Sequence, residues 1–317
     1  MAVYTDITDA ELEALLADYD LGRPLSLKGV AEGIENSNFI LETEAGRYLL
    51  TIYERRVQEA DLPYFLGLMQ WLAGQGFPCP TPVARRDGAT LTPVRRKPAC
   101  IISFLNGLSV QRPAAAHCAE LGAGLARLHQ AGSGFPMQRP NDLSLASWAP
   151  MFERGRHIAR TLDRALEGRI AEDLAALHAG WPGDLPSGAI HADLFPDNAF
   201  FNRGKFCGAI DFYFACNDAY AYDLAVCLNA WCFDAEHRFQ PDHGRALIAG
   251  YEWERPLSPT ERDALPILAR GAAMRFFLTR LIDWERGAAG ALVTPKNPMD
   301  YAARLDFHRT SGLKAIL

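Results

Sequence analysis

The sequence predicts an α+β fold with two lobes: a small N-terminal lobe built on an antiparallel sheet and a larger, mainly helical C-terminal lobe. Three observations predict it. Short strand-like runs joined by tight turns fill much of the N-terminal third, apolar residues recur at helical spacing over most of the remainder, and one strand-rich island interrupts the helical part. The periodicity changes near residues 103–108, which we interpret as a hinge between lobes of residues 1–105 and 106–317.

The elements of the N-terminal lobe carry local signals. Thr8 and Glu11 have the spacing of a capping box and open a helix with an apolar stripe. Glu44-Ala45-Gly46 is typical of the tight turn of an antiparallel meander. In order, we expect a helix at 8–21, strands at 25–30, 37–43 and 47–53, a helix at 59–73, and strands at 83–86 and 100–105.

The C-terminal lobe is expected to be helical on both sides of a strand-rich island at 190–211. Pro113 suits the first turn of a helix that ends near Gly132. Within that helix, we expect His129 to pack and hydrogen-bond rather than to catalyse. The further expected helices lie at 148–178, 220–233, 244–252, 259–286 and near 299–313.

Composition excludes several classes of protein. Lys and Arg number 32 against 38 Asp and Glu, so a nucleic-acid partner is not expected. No apolar run approaches the ~18 residues of a membrane span, and the N-terminus lacks a signal-peptide pattern. The seven cysteines contain no C-x-x-C pair, which favours reduced thiols in a cytoplasmic protein over a zinc knuckle or a disulfide framework.

The island at 190–211 carries the strongest chemical signal. If Arg203-Gly204 is the two-residue loop of a hairpin, Asn198 faces Ala209, and Asp211 projects on the same face as Asn198, diagonally across. Such neighbours lie about 7–8 Å apart, which is close enough to share bound cations. Amide and carboxylate oxygens suit Mg²⁺ rather than zinc, and the other ligands of such an ion are typically nucleotide phosphates.

Asp193 precedes this pair and can accept a proton from a hydroxyl group. The order D-x-x-x-x-N with a downstream Asp is the arrangement of kinase-type phosphoryl transfer. Two alternatives stay open. Asp197-Asn198 can be turn residues alone, and His191 with Asp193 can ligate the metal of a hydrolase, although no second His or Cys clusters with them.

The motifs of the chain resemble those of a known superfamily. The segments that carry the resemblance are His191-Ala-Asp-Leu-Phe-Pro-Asp-Asn198, Ile210-Asp-Phe-Tyr213 and Asp218-x-x-x-x-Asp223-Leu-Ala. They are similar to those of the protein-kinase-like aminoglycoside phosphotransferase and choline kinase superfamily. Gly33-Ile-Glu-Asn-Ser-Asn38 and Tyr48-Leu-Leu-Thr-Ile-Tyr-Glu54 resemble the homoserine kinases within it, as does Arg275-Phe-Phe-Leu-Thr-Arg-Leu281.

The resemblance implies a role for each residue of the island. Asp193 would be the catalytic base, and Asn198 and Asp211 would be the Mg²⁺ ligands. Asp223 would be the structural aspartate that caps a helix and braces the catalytic loop. His191 would orient the loop rather than bind the metal.

A glycine-containing loop is the expected phosphate contact. Gly29 and Gly33 let the backbone approach nucleotide phosphates, Asn36 belongs to the same segment, and Ser37 can donate a hydrogen bond to them. The segment joins two strands, so it is not a Walker A loop. The backbone around Ile102–Leu105, including Ser103 and Leu105, would bind adenine.

The third strand departs from the wider kinase pattern, which places a Lys there and pairs it with a helix Glu. Thr51 stands at that position, and the helix partner would be Glu59 or Asp61. Arg55 or Arg56 can supply the missing charge, or the pair can simply be exposed basic residues at a strand end.

Arg275 is unusual because apolar residues surround it in sequence, and a buried Arg needs a carboxylate or phosphate partner. We expect either an internal Asp or the carboxylate of the substrate. The resemblance as a whole implies transfer of the γ-phosphoryl group of Mg·ATP to the hydroxyl of L-homoserine, on the branch toward threonine. The alternatives are kinases of choline, ethanolamine, methylthioribose or an aminoglycoside, and a nucleotide-binding pseudokinase.

Overall fold

The computed structural model describes residues 4–30, 36–54, 57–287, 295–314 and 316–317. The chain divides into two compact units, Met1–Asn106 and Gly107–Leu317. The first unit holds a five-stranded antiparallel sheet, and the second is mainly helical with two small two-stranded sheets. The predicted α+β class is therefore confirmed.

The N-terminal unit follows the predicted meander closely. Its elements are α1 (Asp9–Leu16), β1 (Pro24–Gly29), β2 (Asn36–Thr43), β3 (Gly46–Tyr53), α2 (Leu62–Gly74), β4 (Thr92–Val94) and β5 (Lys97–Ser103). The strands are ordered β1-β2-β3-β5-β4. The predicted capping box of Thr8 and Glu11 is confirmed, but α1 ends at Leu16 and does not continue to residue 21.

The two faces of this sheet differ in chemistry. One face, here called the α1 face, packs apolar side chains of the strands against α1; these include Phe39, Leu41, Leu50, Ile52 and Ile101 from the strands and Leu12 and Leu16 from the helix. Because side chains alternate along a strand, Asn38 and Thr51 belong to the opposite, second face. The register pairs these two residues directly across β2 and β3.

One predicted strand of this unit is wrong. Residues 83–86 form no strand, and Pro82 makes only an isolated bridge to Ile102. The strand at this edge of the sheet is β4. It pairs with β5 through a two-residue turn at Arg95 and Arg96, both at positive φ (47° and 65°). Turns of this kind normally use Asn or Gly, so two arginines gave no turn signal.

The C-terminal unit contains seven helices and four strands within its described residues. They are α3 (Ala115–Ala131), α4 (Leu145–Leu162), α5 (Leu166–Gly180), β6 (Ser187–Ile190), β7 (Ala199–Asn202), β8 (Lys205–Ala209), β9 (Cys216–Ala219), α6 (Tyr220–Trp231), α7 (Pro241–Glu254), α8 (Pro259–Gly287) and α9 (Met299–Thr310). The single helix predicted at 148–178 is wrong, because Asp163 adopts an extended conformation (φ −155°, ψ 123°) that ends α4.

Helices α3 and α7 pack with their backbones in close contact. A Cβ atom added to Gly122 would lie 2.1 Å from the carbonyl oxygen of Leu247, and one added to Gly250 would lie 2.1 Å from that of Ala119. Only glycine fits at such a distance. The close approach brings His129 of α3 within hydrogen-bond distance of Tyr251 of α7.

The β7–β8 hairpin contains a bulge that the sequence does not reveal. Arg203 and Gly204 form its two-residue loop at positive φ (50° and 78°), and Phe201 faces Phe206 as predicted. Beyond that pair the register shifts by one residue at Cys207, so that Ile210 rather than Ala209 bonds to Asn198, with 2.9 Å from the Ile210 nitrogen to the Asn198 oxygen. The predicted facing of Asn198 and Ala209 is therefore wrong.

The remaining chain-wide expectations concern thiols and membranes. The seven cysteines are free, and all except Cys207 are buried. Among the helices that the structure describes, none has both the length and the apolar character that a membrane crossing needs.

Candidate active site

The loop that follows β6 is held by a buried carboxylate. Asp223, in the first turn of α6, accepts hydrogen bonds from the backbone N–H groups of His191 (2.8 Å) and Ala192 (2.8 Å). Ala192 is in the left-handed region at φ 61°, a strained conformation for a residue with a side chain. Two convergent bonds to one carboxylate fix the backbone there, immediately before Asp193.

A relay of uncharged and cationic donors holds Asp223 in turn. His129 Nε2 lies 3.1 Å from Asp223 Oδ2, and His129 Nδ1 lies 2.8 Å from the Tyr251 hydroxyl. Arg255 Nη1 donates to the same hydroxyl at 3.2 Å. No local pattern marks Tyr251 or Arg255 as part of the site, because the bond that connects them to it, from Tyr251 to His129, spans 122 residues.

The shifted pKa values of His129 and Asp223 determine which groups of this relay are charged. Burial lowers the pKa of the His129 imidazole below its usual value. Burial alone would raise the pKa of Asp223, but the hydrogen bond from His129 and those from the loop backbone hold it below its usual range. A neutral imidazole therefore donates from Nε2 to an ionised carboxylate and accepts the Tyr251 hydrogen at Nδ1.

His191 connects the loop to the end of β8. Its Nε2 donates to the carbonyl oxygen of Ile210 (2.9 Å), and its Nδ1 accepts from the backbone N–H of Asp193 (3.3 Å). Burial lowers the pKa of this imidazole as well, and the ring packs on Phe212 with 4.7 Å between centroids. His191 thus lies between Asp193 and the residue that precedes Asp211.

Asp193 and Asn198 are in direct contact. Asn198 Nδ2 donates to the Asp193 carbonyl (2.8 Å) and to its carboxylate Oδ2 (3.3 Å). With the amide nitrogen committed to Asp193, Asn198 Oδ1 is the atom of this side chain available to a cation. Asp211 lies two residues beyond β8 at φ 65°, where the chain leaves the strand.

The donor set fits a hard divalent cation. An amide oxygen from Asn198 and carboxylate oxygens from Asp211 are ligands that suit Mg²⁺. Among the described residues, no group of three or more His, Cys, Asp or Glu side chains could hold a metal ion. The hydrolase alternative needs a ring nitrogen of His191 as a metal ligand, and both of these nitrogens are used in hydrogen bonds to the backbone.

Arg275 of α8 lies beneath the same loop. Its side chain is 1% exposed, Nη1 donates to the carbonyl oxygen of Ala192, and the guanidinium lies 4.4 Å from the ring centroid of Phe276. In the part of the chain that the structure describes, no carboxylate forms an ion pair with it, and Nε has no hydrogen-bond partner. The expected internal Asp is therefore not the partner; a backbone carbonyl is.

In the N-terminal unit, the predicted phosphate-loop residues are only partly described. Gly29 ends β1, Asn36 and Ser37 begin β2, and Gly33, like Arg55 and Arg56, lies outside the described residues. Ser37 shares the α1 face with Phe39. Its hydroxyl is buried, accepts from the backbone N–H groups of Tyr4 (2.8 Å) and Thr5 (3.0 Å), and donates to Glu54 Oε1 (2.7 Å). This hydrogen is therefore already used within the protein.

The end of β5 borders a cavity. Ser103 exchanges two hydrogen bonds with Thr81, one through its backbone N–H (2.9 Å) and one through its hydroxyl (2.8 Å). Among described residues, the backbone of Leu105 has no hydrogen-bond partner. An open cavity of about 410 Å³ lies beside this segment, and its walls include Phe104, Asn106, Glu42 and Arg47. The Arg47 guanidinium lies 5.3 Å from the Phe104 ring centroid.

Comparisons with known proteins place the chain in a family. The sequence profile described as "Phosphotransferase enzyme family" matches residues 26–257. The chain therefore belongs to that family of phosphoryl-transferring proteins, and the predicted superfamily is confirmed.

Relatives in the same family identify the branch. A homoserine kinase of Caulobacter vibrioides is 61% identical over 310 residues, which covers 98% of this chain and 98% of the relative. A homoserine kinase of Phenylobacterium zucineum is 62% identical over 311 residues, 98% of this chain and 96% of the relative. Within the phosphotransferases, the chain belongs to the homoserine kinase family.

Solved structures share the fold. An amicoumacin kinase, hAmiN, is 18% identical with a TM-score of 0.69 over 95% of this chain and 93% of its own. A choline kinase from Cryptosporidium parvum Iowa II is 16% identical with a TM-score of 0.63, covering 90% of this chain and 88% of its own. The predicted protein-kinase-like fold is confirmed.

We expect the free energy of unfolding to fall as the pH is lowered from 7 to 5. His129 and His191 stay neutral in the fold, whereas in the unfolded chain each binds a proton below its usual pKa of 6.5. Proton binding therefore favours the unfolded state. At pH 5 it lowers the free energy of unfolding by up to about 2 kcal/mol for each imidazole. Urea titrations at several pH values measure the effect.

His129→Gln should reduce this pH dependence by the share of one imidazole. His157→Gln, at a histidine whose side chain is 65% exposed, is the matched control and should follow the wild type. Stability that stays level or rises on acidification would contradict the assignment of neutral imidazoles.

Proposed function

We propose that this protein transfers the γ-phosphoryl group of ATP to the side-chain hydroxyl of L-homoserine, with Mg²⁺ as the accompanying ion. The observation that carries the proposal is the Asp193–Asn198 contact in a loop fixed by Asp223. Relatives more than 60% identical over nearly the whole chain, named as homoserine kinases, support the choice of acceptor.

In this proposal Asp193 is the catalytic base. The hydroxyl oxygen of the acceptor forms a bond to the γ-phosphorus, the bond from that phosphorus to the bridging β–γ oxygen breaks, and ADP leaves. The hydroxyl proton passes to the Asp193 carboxylate. The hydrogen bond from Asn198 to Oδ2 (3.3 Å) orients that carboxylate, and a positioned base of this kind accelerates proton transfer.

Asn198 and Asp211 are proposed to hold Mg²⁺ through their side-chain oxygens. When bound, the ion neutralises charge on the phosphate oxygens during transfer. Asp223 and His191 support the loop that carries these groups, through the backbone bonds at 2.8 Å and the Ile210 contact at 2.9 Å.

The nucleotide contacts are proposed for the N-terminal lobe, residues 1–105, and the catalytic and acceptor contacts for residues 106–317. Gly29, Gly33 and Asn36 would let the phosphates approach the backbone. Since the Ser37 hydroxyl donates to Glu54, any contact from Ser37 would come from its backbone. Ser103 and Leu105 flank the cavity in which adenine would bind, and the unpaired backbone of Leu105 suits its polar edge.

The acceptor is tested by ADP release with a panel of L-homoserine, choline, ethanolamine, methylthioribose and an aminoglycoside. We expect homoserine to have the highest kcat/KM by at least about tenfold, because the relatives that are more than 60% identical are named as homoserine kinases. If a cationic alcohol is the preferred acceptor, the assignment of homoserine as the acceptor is wrong, but the kinase activity is still supported. No transfer to any acceptor would favour a pseudokinase.

Substitution of the two aspartates separates base from metal ligand. Asp193→Asn should lower kcat by about 10²–10⁴-fold with Mg·ATP binding nearly unchanged, because it removes the proton acceptor and keeps the shape. Asp211→Asn should raise the Mg²⁺ concentration needed for activity and weaken Mg·ATP binding. Calorimetry of Mg·ATP binding beside steady-state rates measures both.

Asp197→Asn is the matched control, because this carboxylate lies in the same loop with its side chain 72% exposed. Its rate and affinity should equal those of the wild type. Loss of metal binding in Asp193→Asn together with full retention in Asp211→Asn would reverse the two assignments.

The substrate carboxylate was one of two partners expected for Arg275, and the burial of this residue against the Ala192 carbonyl favours a positioning role instead. We expect Arg275→Lys to lower kcat by about 10-fold or more, since hydrogen bonds from charged groups contribute about 1.5–3 kcal/mol. The KM values for ATP and homoserine should change far less. A raised KM for homoserine with kcat preserved would instead support a contact between Arg275 and the substrate carboxylate. Thermal melting checks that the variant is folded.

A further inference from the structure

We propose that Asn38 makes the phosphate contact that a lysine on the third strand makes in other kinases, and that Thr51 orients the Asn38 amide for it. The inference rests on the proposed function for its ligand, the phosphate groups of a nucleoside triphosphate. It adds a residue that was not among the expected phosphate contacts.

The third strand, β3, defines where the lysine of other kinases would lie. In the kinase pattern, the lysine of this strand pairs with the nucleotide phosphates, and Thr51 occupies that place. Thr51 is only 1% exposed, and its hydroxyl donates to Asn38 Oδ1 at 2.8 Å. Because the two residues are paired directly across β2 and β3, the bond lies within the second face of the sheet.

The amide of Asn38 is left with its donors unused. A side-chain amide has one acceptor oxygen and two N–H donors, and the oxygen is bound by Thr51. Among the residues that the structure describes, Asn38 Nδ2 has no hydrogen-bond partner. Asn38 is partly exposed whereas Thr51 is buried, so the amide is the group of this pair that a ligand can reach.

Lys97 of β5 cannot take this role. Its ammonium group pairs with the Glu54 carboxylate and donates to Thr5 Oγ1 at 2.7 Å. Glu54 also binds the Ser37 hydroxyl, which belongs to the α1 face. This lysine is therefore committed to the side of the sheet opposite to Thr51.

The cavity beside the end of β5 lies along the same second face. Glu42 and Asn38 alternate in phase on β2, as Arg47 and Thr51 do on β3, and Glu42 and Arg47 line the cavity. Arg47 and Thr51 are four positions apart on the strand, a distance of about 13 Å at ~3.3 Å per residue. A cavity at one end of the face and free amide donors at the other suit a ligand with a base at one end and phosphates at the other.

The test compares ligands that differ only in their phosphates. Calorimetry, with no acceptor present, measures the Kd of Mg·ATP, Mg·ADP and adenosine for the wild type and for Asn38→Ala, Asn38→Asp and Thr51→Val. We expect Asn38→Ala to weaken Mg·ATP and Mg·ADP by about 10-fold or more and to leave adenosine within twofold. Asn38→Asp should weaken them further, because a carboxylate repels phosphate.

Thr51→Val keeps the shape of the side chain and removes the hydroxyl, so it should give a smaller loss with the same selectivity for phosphorylated ligands. Thr92→Val, at a buried threonine of β4, is the matched control and should bind all three ligands as the wild type does. Thermal melting of each variant monitors folding.

Unchanged Mg·ATP affinity in Asn38→Ala would overturn the inference. Equal losses of affinity for adenosine and Mg·ATP would also overturn it, because a structural defect weakens both ligands whether or not they carry phosphate. Neither outcome depends on the acceptor. A wrong acceptor would appear only in the ADP-release panel and would leave the nucleotide affinities untouched.

Discussion

The proposed catalytic loop, residues 191–198, depends on one buried, ionised carboxylate. Asp223 accepts two backbone hydrogen bonds at 2.8 Å from consecutive residues, one of which is held at positive φ. Removing a buried charged acceptor would leave both N–H groups unsatisfied, at a cost of about 1–3 kcal/mol each. The strain at Ala192 is therefore maintained by Asp223, and the placement of Asp193 follows from it.

Neutral groups bind this carboxylate, and a charged group binds the loop that the carboxylate holds. The loop backbone and the His129 imidazole stabilise the negative charge on one side, while Arg275 binds the carbonyl of Ala192 on the other. Ala192 is thus hydrogen-bonded through both its backbone N–H and its backbone C=O. Such a segment presents Asp193 and Asn198 with little reorganisation, which is what preorganised catalysis requires.

The sequence predicted the elements with local patterns and missed those that depend on distant contacts. The meander, the Thr8 cap and the Phe201–Phe206 pair follow from periodicity and turn chemistry. The bulge at Cys207 does not follow from the periodicity of β8 or from the turn residues Arg203 and Gly204. For the site, the spacing of Asp193, Asn198 and Asp211 was visible in the sequence. The contact of Ser37 in β2 with Glu54, which follows β3, depends on the pairing of the two strands and was not.

The long sequence separations in the site have a consequence for synthesis of the chain. The bonds from His129 to Asp223 and to Tyr251 span 94 and 122 residues, and the bond from Lys97 to Thr5 spans 92. Contacts of this range form only after much of the polypeptide has left the ribosome, and they slow folding because a large loop must close first. The relay that holds Asp223 is therefore incomplete in any nascent chain that stops before α7, because Tyr251 belongs to that helix.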